Sequence, residues 1–201
     1  MDQVDFERMM IFEHARVNAE AEYLKNPDDA DNLTKWGGAL LELSQFGNIN
    51  ESKKMLKDAV SKLEEALAIN PAKHEALWCL GSVLTANGFL ISEHEEARIL
   101  FDQALDYFEK AVELCPENEH YLQALASCAK AAEVHKEIHR QGGLAQAQQT
   151  LGGGSATSSS AKGSAKNKRS DLMYDIFGWV ILAAGLVTWL RMAKLPPPPP
   201  M

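Results

Sequence analysis

His135 and His139 stand four residues apart in the stretch "HKEIH". On a helix that spacing stacks two imidazoles one turn apart, where they can grip a metal ion. A zinc-dependent hydrolase built this way sets a glutamate directly after the first histidine or directly before the second, yet Glu137 sits midway. No third ligand is evident, so the pair is read as a solvated helix face. Cys79, Cys115 and Cys128 are an odd number, lie inside helical patterns and lack CxxC spacing. They read as small apolar core residues of a reducing compartment, not as a disulfide or a metal site. The sequence has no Walker-type phosphate loop, no GxSxG turn and no Cys/His pairing with local support, and "GGGS" near residue 152 reads as linker. The expectation is a protein without catalytic residues, cofactor or metal, which works by binding and is not an enzyme.

Charge narrows what it could bind. Residues 1–145 carry 26 acidic against 14 basic side chains, net −12, while residues 146–201 carry 2 against 6, net +4. An acidic domain repels phosphate backbones, which argues against nucleic acid and favours basic partners. With 201 residues in all, there is room for one domain of about 140 residues with a real core, followed by a tail. The start, "MDQVDFERMM", has acids where a cleavable targeting signal needs cations and an apolar run, so no such signal is expected.

The elements that would carry a binding surface are helices. The first 140 residues lack strand-like alternation and show helical spacing nearly throughout, so the fold class is all-α. Pro27, Pro71 and Pro116 recur at intervals of 44 and 45 residues, and aligning on them brings other residues into register. Six residues on come Leu33, Leu77 and Leu122, then Trp36, Leu80 and Leu125, then Gly37, Gly81 and Ala126. Ahead of two of the prolines run Ala59, Leu63, Ala66 and Ala104, Phe108, Ala111. This pattern resembles the tetratricopeptide repeat, whose small residue lets helix A approach helix B and whose proline ends helix B. The family's period is about 34 residues. Here the extra length falls between Leu40 and Ala59 and again between Leu84 and Ala104, which lengthens helix B each time.

Boundaries follow from local signals. A first helix is expected from Val4 to Lys25 and a last one from Glu119 to Arg140. Gly47–Asn48 should end helix A of repeat one, with Asn50 capping a helix to Ile69. Asn87–Gly88 should end helix A of repeat two, and "SEHE", Ser92 to Glu95, should box the start of a helix running to Leu114.

The repeat resemblance implies a concave surface made by helix A positions two, five, nine, twelve and thirteen. Repeat one supplies Asp31, Thr34, Gly38, Leu41 and Glu42, and repeat two Glu75, Trp78, Ser82, Thr85 and Ala86. The last helix supplies His120, Gln123, Ser127, Lys130 and Ala131. Trp78 follows Leu77, which takes the core position, so it points into the groove or against the preceding helix B. The chaperone-binding class holds a peptide carboxylate with Lys and Asn at positions five and nine. Thr34, Gly38, Trp78 and Ser82 stand there instead, which excludes that clamp. An apolar floor with an acidic rim fits an amphipathic helix carrying arginines, the composition of mitochondrial targeting peptides.

Residues 142–170 are rich in Gly, Ser, Ala and Gln and read as a flexible basic tether. Residues 171–195 follow as a transmembrane tail anchor. Its apolar heart is Ile176, Phe177, Trp179, Val180, Ile181, Leu182, Leu186, Val187, Trp189 and Leu190. A helix from Leu172 to Leu195 would be about 36 Å long, enough for hydrocarbon about 30 Å thick. Trp179 and Trp189 fall where aromatic belts form, and Lys162, Lys166, Lys168, Arg169, Arg191 and Lys194 flank the span. Residues 196–201 read as a polyproline end in the intermembrane space.

Taken together, expanded repeats in residues 1–141, the basic tether, the anchor "GWVILAAGLVTWLRMAK" and the proline-rich end resemble the plant-type 20-kilodalton import receptor subunit of the mitochondrial outer-membrane translocase, the TOM complex. The resemblance implies a single-pass receptor whose N-terminal domain faces the cytosol. It would recognise presequences of preproteins and pass them to the pore and other translocase subunits. A tail-anchored adaptor that recruits a folded partner, such as fission machinery, shares the anchor and the repeats.

Overall fold

The computed structural model describes residues 3–140, which lie in one unit, Met1–Gln148. The tether, anchor and polyproline readings for residues 142–201 lie outside the described residues. Among the described residues no helix is long and apolar enough to cross a membrane.

The described residues are helical, with no strand among them. In order come α1 (Gln3–Tyr23), α2 (Ala30–Leu43), α3 (Ile49–Ile69), α4 (His74–Phe89), α5 (His94–Leu114) and α6 (Glu119–Cys128), then α7 at residues 131–140. Each of α1 to α6 packs on its neighbour in sequence, and α4 also meets α2 and α6. Short turns enforce this antiparallel order. Asn70 and Cys115 cap α3 and α5, and Pro71 and Pro116 follow directly, where no helix can continue.

The core is the seam inside the pairs α2/α3 and α4/α5. Leu33, Leu63, Leu80, Phe101 and Phe108 are almost wholly buried, with Ala59, Ala66, Ala104 and Ala111 between them. Close approach needs the two glycines that the spacing singles out. A Cβ at Gly37 would lie 2.5 Å from Leu63 Cγ, and one at Gly81 would lie 2.8 Å from Phe108 Cε1. At the N-terminal end, Asn32 Nδ2 donates to the Ala19 carbonyl at 2.8 Å and the Tyr23 ring meets Trp36 edge-on at 5.5 Å. Lys62 of α3 lies 4.3 Å from the Tyr23 ring centroid and 4.8 Å from that of Trp36. These contacts fasten α1 to the first pair.

Boundaries differ from expectation at five points, the first being that α2 ends at Leu43 with Ser44 as its C-cap, short of Gly47–Asn48. The cap of α3 is Asn48, not Asn50: its side chain accepts from Asn50 N and Glu51 N, and Glu51 returns a bond to Asn48 N. Asn48→Ala should therefore cost about 1 kcal/mol, read as a lower urea midpoint with an unchanged m-value. Gly88 does not end α4 but lies inside it. Its missing Cβ makes room for Phe101, whose Cε1 would be 2.6 Å away, and the Phe89 ring meets the same ring tilted by 56°, with centroids 5.1 Å apart. Because α4 runs on, α5 starts at His94 with Glu93 at the cap and no side-chain capping bond, so the "SEHE" box does not form. The last helix breaks at Ala129–Lys130, where Lys130 N bonds to the Ser127 carbonyl at 3.1 Å. The turn re-aims α7 so that Ala131 joins Ala97 and Phe101 in a buried cluster.

Candidate functional site

The face expected to bind is carried by α2 and α4, with α6 at its edge. On α2, the Thr34 hydroxyl donates to the Ala30 carbonyl at 2.6 Å, and Thr34 and Leu41 are both half-buried. Gly38 faces α4, with a Cβ there falling 3.8 Å from Cys79 Sγ. Glu42 is not at an open rim. It is buried, with Arg8 Nη2 of α1 at 3.2 Å from its Oε2. Burial pushes its carboxyl up to about 7, against the pull of Arg8 and Gln45.

On α4, Ser82 and Ala86 are buried and Thr85 is half-buried; Ser82 donates to the Trp78 carbonyl and Thr85 to that of Gly81. Small residues here let α2 and α6 close upon α4, and Thr85 Oγ1 lies 3.5 Å from Cys128 Sγ of α6. Trp78 is half-buried and stacks on Tyr121 of α6, with ring centroids 6.0 Å apart and planes inclined by 26°. Its Nε1 is buried with no hydrogen-bond partner among the described residues. The Tyr121 hydroxyl in turn meets His74 Nδ1 at 2.8 Å. At one end Lys73 bridges Asp31 and Glu75, at 2.5 and 3.1 Å, joining α2 to the start of α4 and holding the Asp31 carboxyl below its usual range.

Of the last helix, Gln123, Ser127 and Lys130 are exposed, His120 is half-buried and Ala131 is buried. Of the residues expected at the surface, Asp31 is exposed, Thr34, Leu41, Glu75, Trp78 and Thr85 are half-buried, and Glu42, Ser82 and Ala86 are buried. Nothing in the spacing of residues signals Arg8, which is 34 residues from the carboxylate it pairs with. Tyr121 did leave one: it occupies the repeat position held by Asn32 and Ala76, and an aromatic there is out of pattern.

His135 is a correction to the solvated-face reading. It is 1% exposed, packs edge-on against Phe101, and its Nε2 lies 2.8 Å from the Ile91 carbonyl. That oxygen can only accept, so Nε2 carries the proton and Nδ1 faces His94 Nδ1 at 3.5 Å. Among the described residues no group of three or more His, Cys, Asp or Glu is placed to hold a metal ion. Cys79 and Cys128 are buried and all three thiols are free; burial chiefly, with Glu42 nearby, pushes Cys79 up to about 12, which leaves it inert.

This arrangement defines a class: an antiparallel stack of α-helices that offers faces and edges to a partner. A family model described as plant specific mitochondrial import receptor subunit TOM20 matches residues 6–194, and the chain belongs to that family. It is 51% identical over 205 residues to mitochondrial import receptor subunit TOM20-2 of Arabidopsis thaliana, covering 98% of this chain and 96% of that one. With TOM20-3 of the same plant it shares 45% over 201 residues, 98% of both chains, and with TOM20-4 46% over 192 residues, 96% of this chain and 94% of the other.

Proposed function

We propose that this chain is a mitochondrial preprotein import receptor that binds amphipathic presequences at the outer membrane. One observation carries the reading: the family match runs from residue 6 to 194, and relatives matched over nearly their whole length bear the name import receptor subunit. The α2/α3 and α4/α5 pairs act as tetratricopeptide-like hairpins, a reading supported by the glycine seams at Gly37 and Gly81. Residues 171–195 anchor the chain as a single span, with residues 1–141 in the cytosol.

In this reading a presequence helix lays its apolar stripe on the α2–α4 face, against Leu41, Trp78 and the methyls of Thr34 and Thr85, with its cations near Asp31 and Glu75. The face is shallow and its charges are exposed to salt, so capture is fast and release is fast. That suits a receptor that hands cargo to the pore. Full-length protein affinity-purified from gently solubilised mitochondria should bring down translocase subunits, the pore among them. Recovery of fission machinery without any translocase subunit would contradict the reading and favour the adaptor.

A further inference from the structure

Among the described residues three helices have the same length, 21 residues: α1, α3 and α5. Their outward faces differ. The middle of α3 shows Lys54, Asp58 and Ser61 to solvent, and α5 shows Asp102, Asp106 and Glu109, with Ile99 the one large apolar side chain exposed along it before its last residue. By contrast α1 exposes Val4, Phe6, Met10, Ile11 and Val17. Phe6, Met10 and Val17, at i, i+4 and i+11, fall on one stripe and are 50%, 50% and 47% exposed. The inner side of α1 is already occupied, by Ala19, Tyr23 and Arg8 against α2 and α3. An apolar outer stripe on one helix out of three, where its sisters carry charge, marks an interaction surface.

The borders of the stripe say what fits it. Glu13 and Glu20 flank it on one side, sharing the single cation Arg16 at 2.6 and 3.0 Å. Exposed Glu7 stands on the other. Residues 1–145 as a whole are net −12. That field repels an anionic bilayer surface and a second copy of the same domain, and attracts a cationic apolar helix. Methionine and phenylalanine adapt to differing apolar shapes, which suits ligands that share pattern and not sequence.

We propose that the outward stripe of α1, Phe6–Met10–Val17 between Glu7 and the Glu13/Glu20 pair, is a docking surface for the cationic amphipathic helix of the cargo. This rests on the presequence-receptor reading and adds to it a surface outside the α2–α4 face. The stripe spans about 16 Å, three turns of a partner helix.

The test uses the full-length chain in nanodiscs of uncharged phosphatidylcholine, empty discs as blank, and a fluorescent 16-residue amphipathic peptide carrying three arginines. The double variant Met10→Glu/Val17→Glu should raise Kd at least tenfold, and Met10→Leu/Val17→Ile should stay within twofold of the parent. Both should melt with the parent, because the side chains changed are half in solvent. Parent-like binding by the Glu variant, together with loss of binding in Leu41→Glu, would overturn the proposal and leave the receptor reading intact. Equal affinity for a peptide with its arginines neutralised, or a dimer mass that the Glu variant abolishes, would also overturn it. Failure of the parent to bind the peptide at all would defeat the receptor reading itself.

Discussion

Phe108→Ala is expected to destabilise the helical domain by about 3–5 kcal/mol, lowering its melting midpoint by about 10–15 °C. The ring is 2% exposed and fills the seam between α4 and α5, where Gly81 leaves no atom of its own to close the gap. Truncation therefore opens a void between two backbones already held close by other contacts, and the void cannot collapse fully. The reverse change is also informative. Gly81→Ala puts a methyl 2.8 Å from the ring and forces Phe108 aside, a clash costing about 1–3 kcal/mol. Combining Gly81→Ala with Phe108→Leu should cost less than the sum of the two, because the smaller side chain vacates the space the methyl needs. Additive losses would show that the two residues do not share one seam.

The second large effect is a pH dependence centred on Glu42. Its carboxyl stands at about 7 in the folded chain against 4.5 in the absence of structure, so between those values the folded state holds a proton that the unfolded state has lost. This contribution is fully present below about pH 4.5 and disappears as pH rises through 7. Its size is about 3 kcal/mol at 1.36 kcal/mol per pH unit. Asp31, Glu13, Glu65 and Glu75 are shifted the opposite way, each held below its usual range, so their contributions fade only below about pH 4.5. None of these four therefore fades within the window from 4.5 to 7, where the Glu42 contribution does. Urea melts at pH 5 and pH 8 should show the parent losing most of that stability across the interval, and Glu42→Gln should flatten the difference by about 2–3 kcal/mol. An unchanged difference in the variant would mean that the carboxyl is solvated and that Arg8 does not cover it.

How far the sequence could be read depended on the distance between partners. Gly37 with Leu63 and Gly81 with Phe108 were legible because the repeat states each contact twice, at the same distances from its prolines. The cap of α3 was nearly legible: "GNIN" offers two asparagines, but only Asn48 stands three residues before Glu51, as a reciprocal box requires. Gly88 was not, since a glycine after asparagine reads as a helix end unless one knows that Phe101, thirteen residues on, lies against it. Glu42 and His135 failed for the same reason at longer range. Each looks like a solvated polar residue until Arg8, or Ile91 with Phe101, is placed beside it. The helix A face was predicted from a family pattern in which the inner positions are open, and here small side chains on α4 draw its neighbours over Ser82 and Ala86.

The central claim is that this helical stack recognises a cationic amphipathic helix by shape and charge together. Calorimetric titration of the full-length chain with such a peptide, and with a twin of the same composition interrupted by a central proline, tests it most directly. Saturable binding of the first, weakening as salt is raised, and no measurable binding of the second are expected. Equal affinity for both peptides, or indifference to salt, would contradict it.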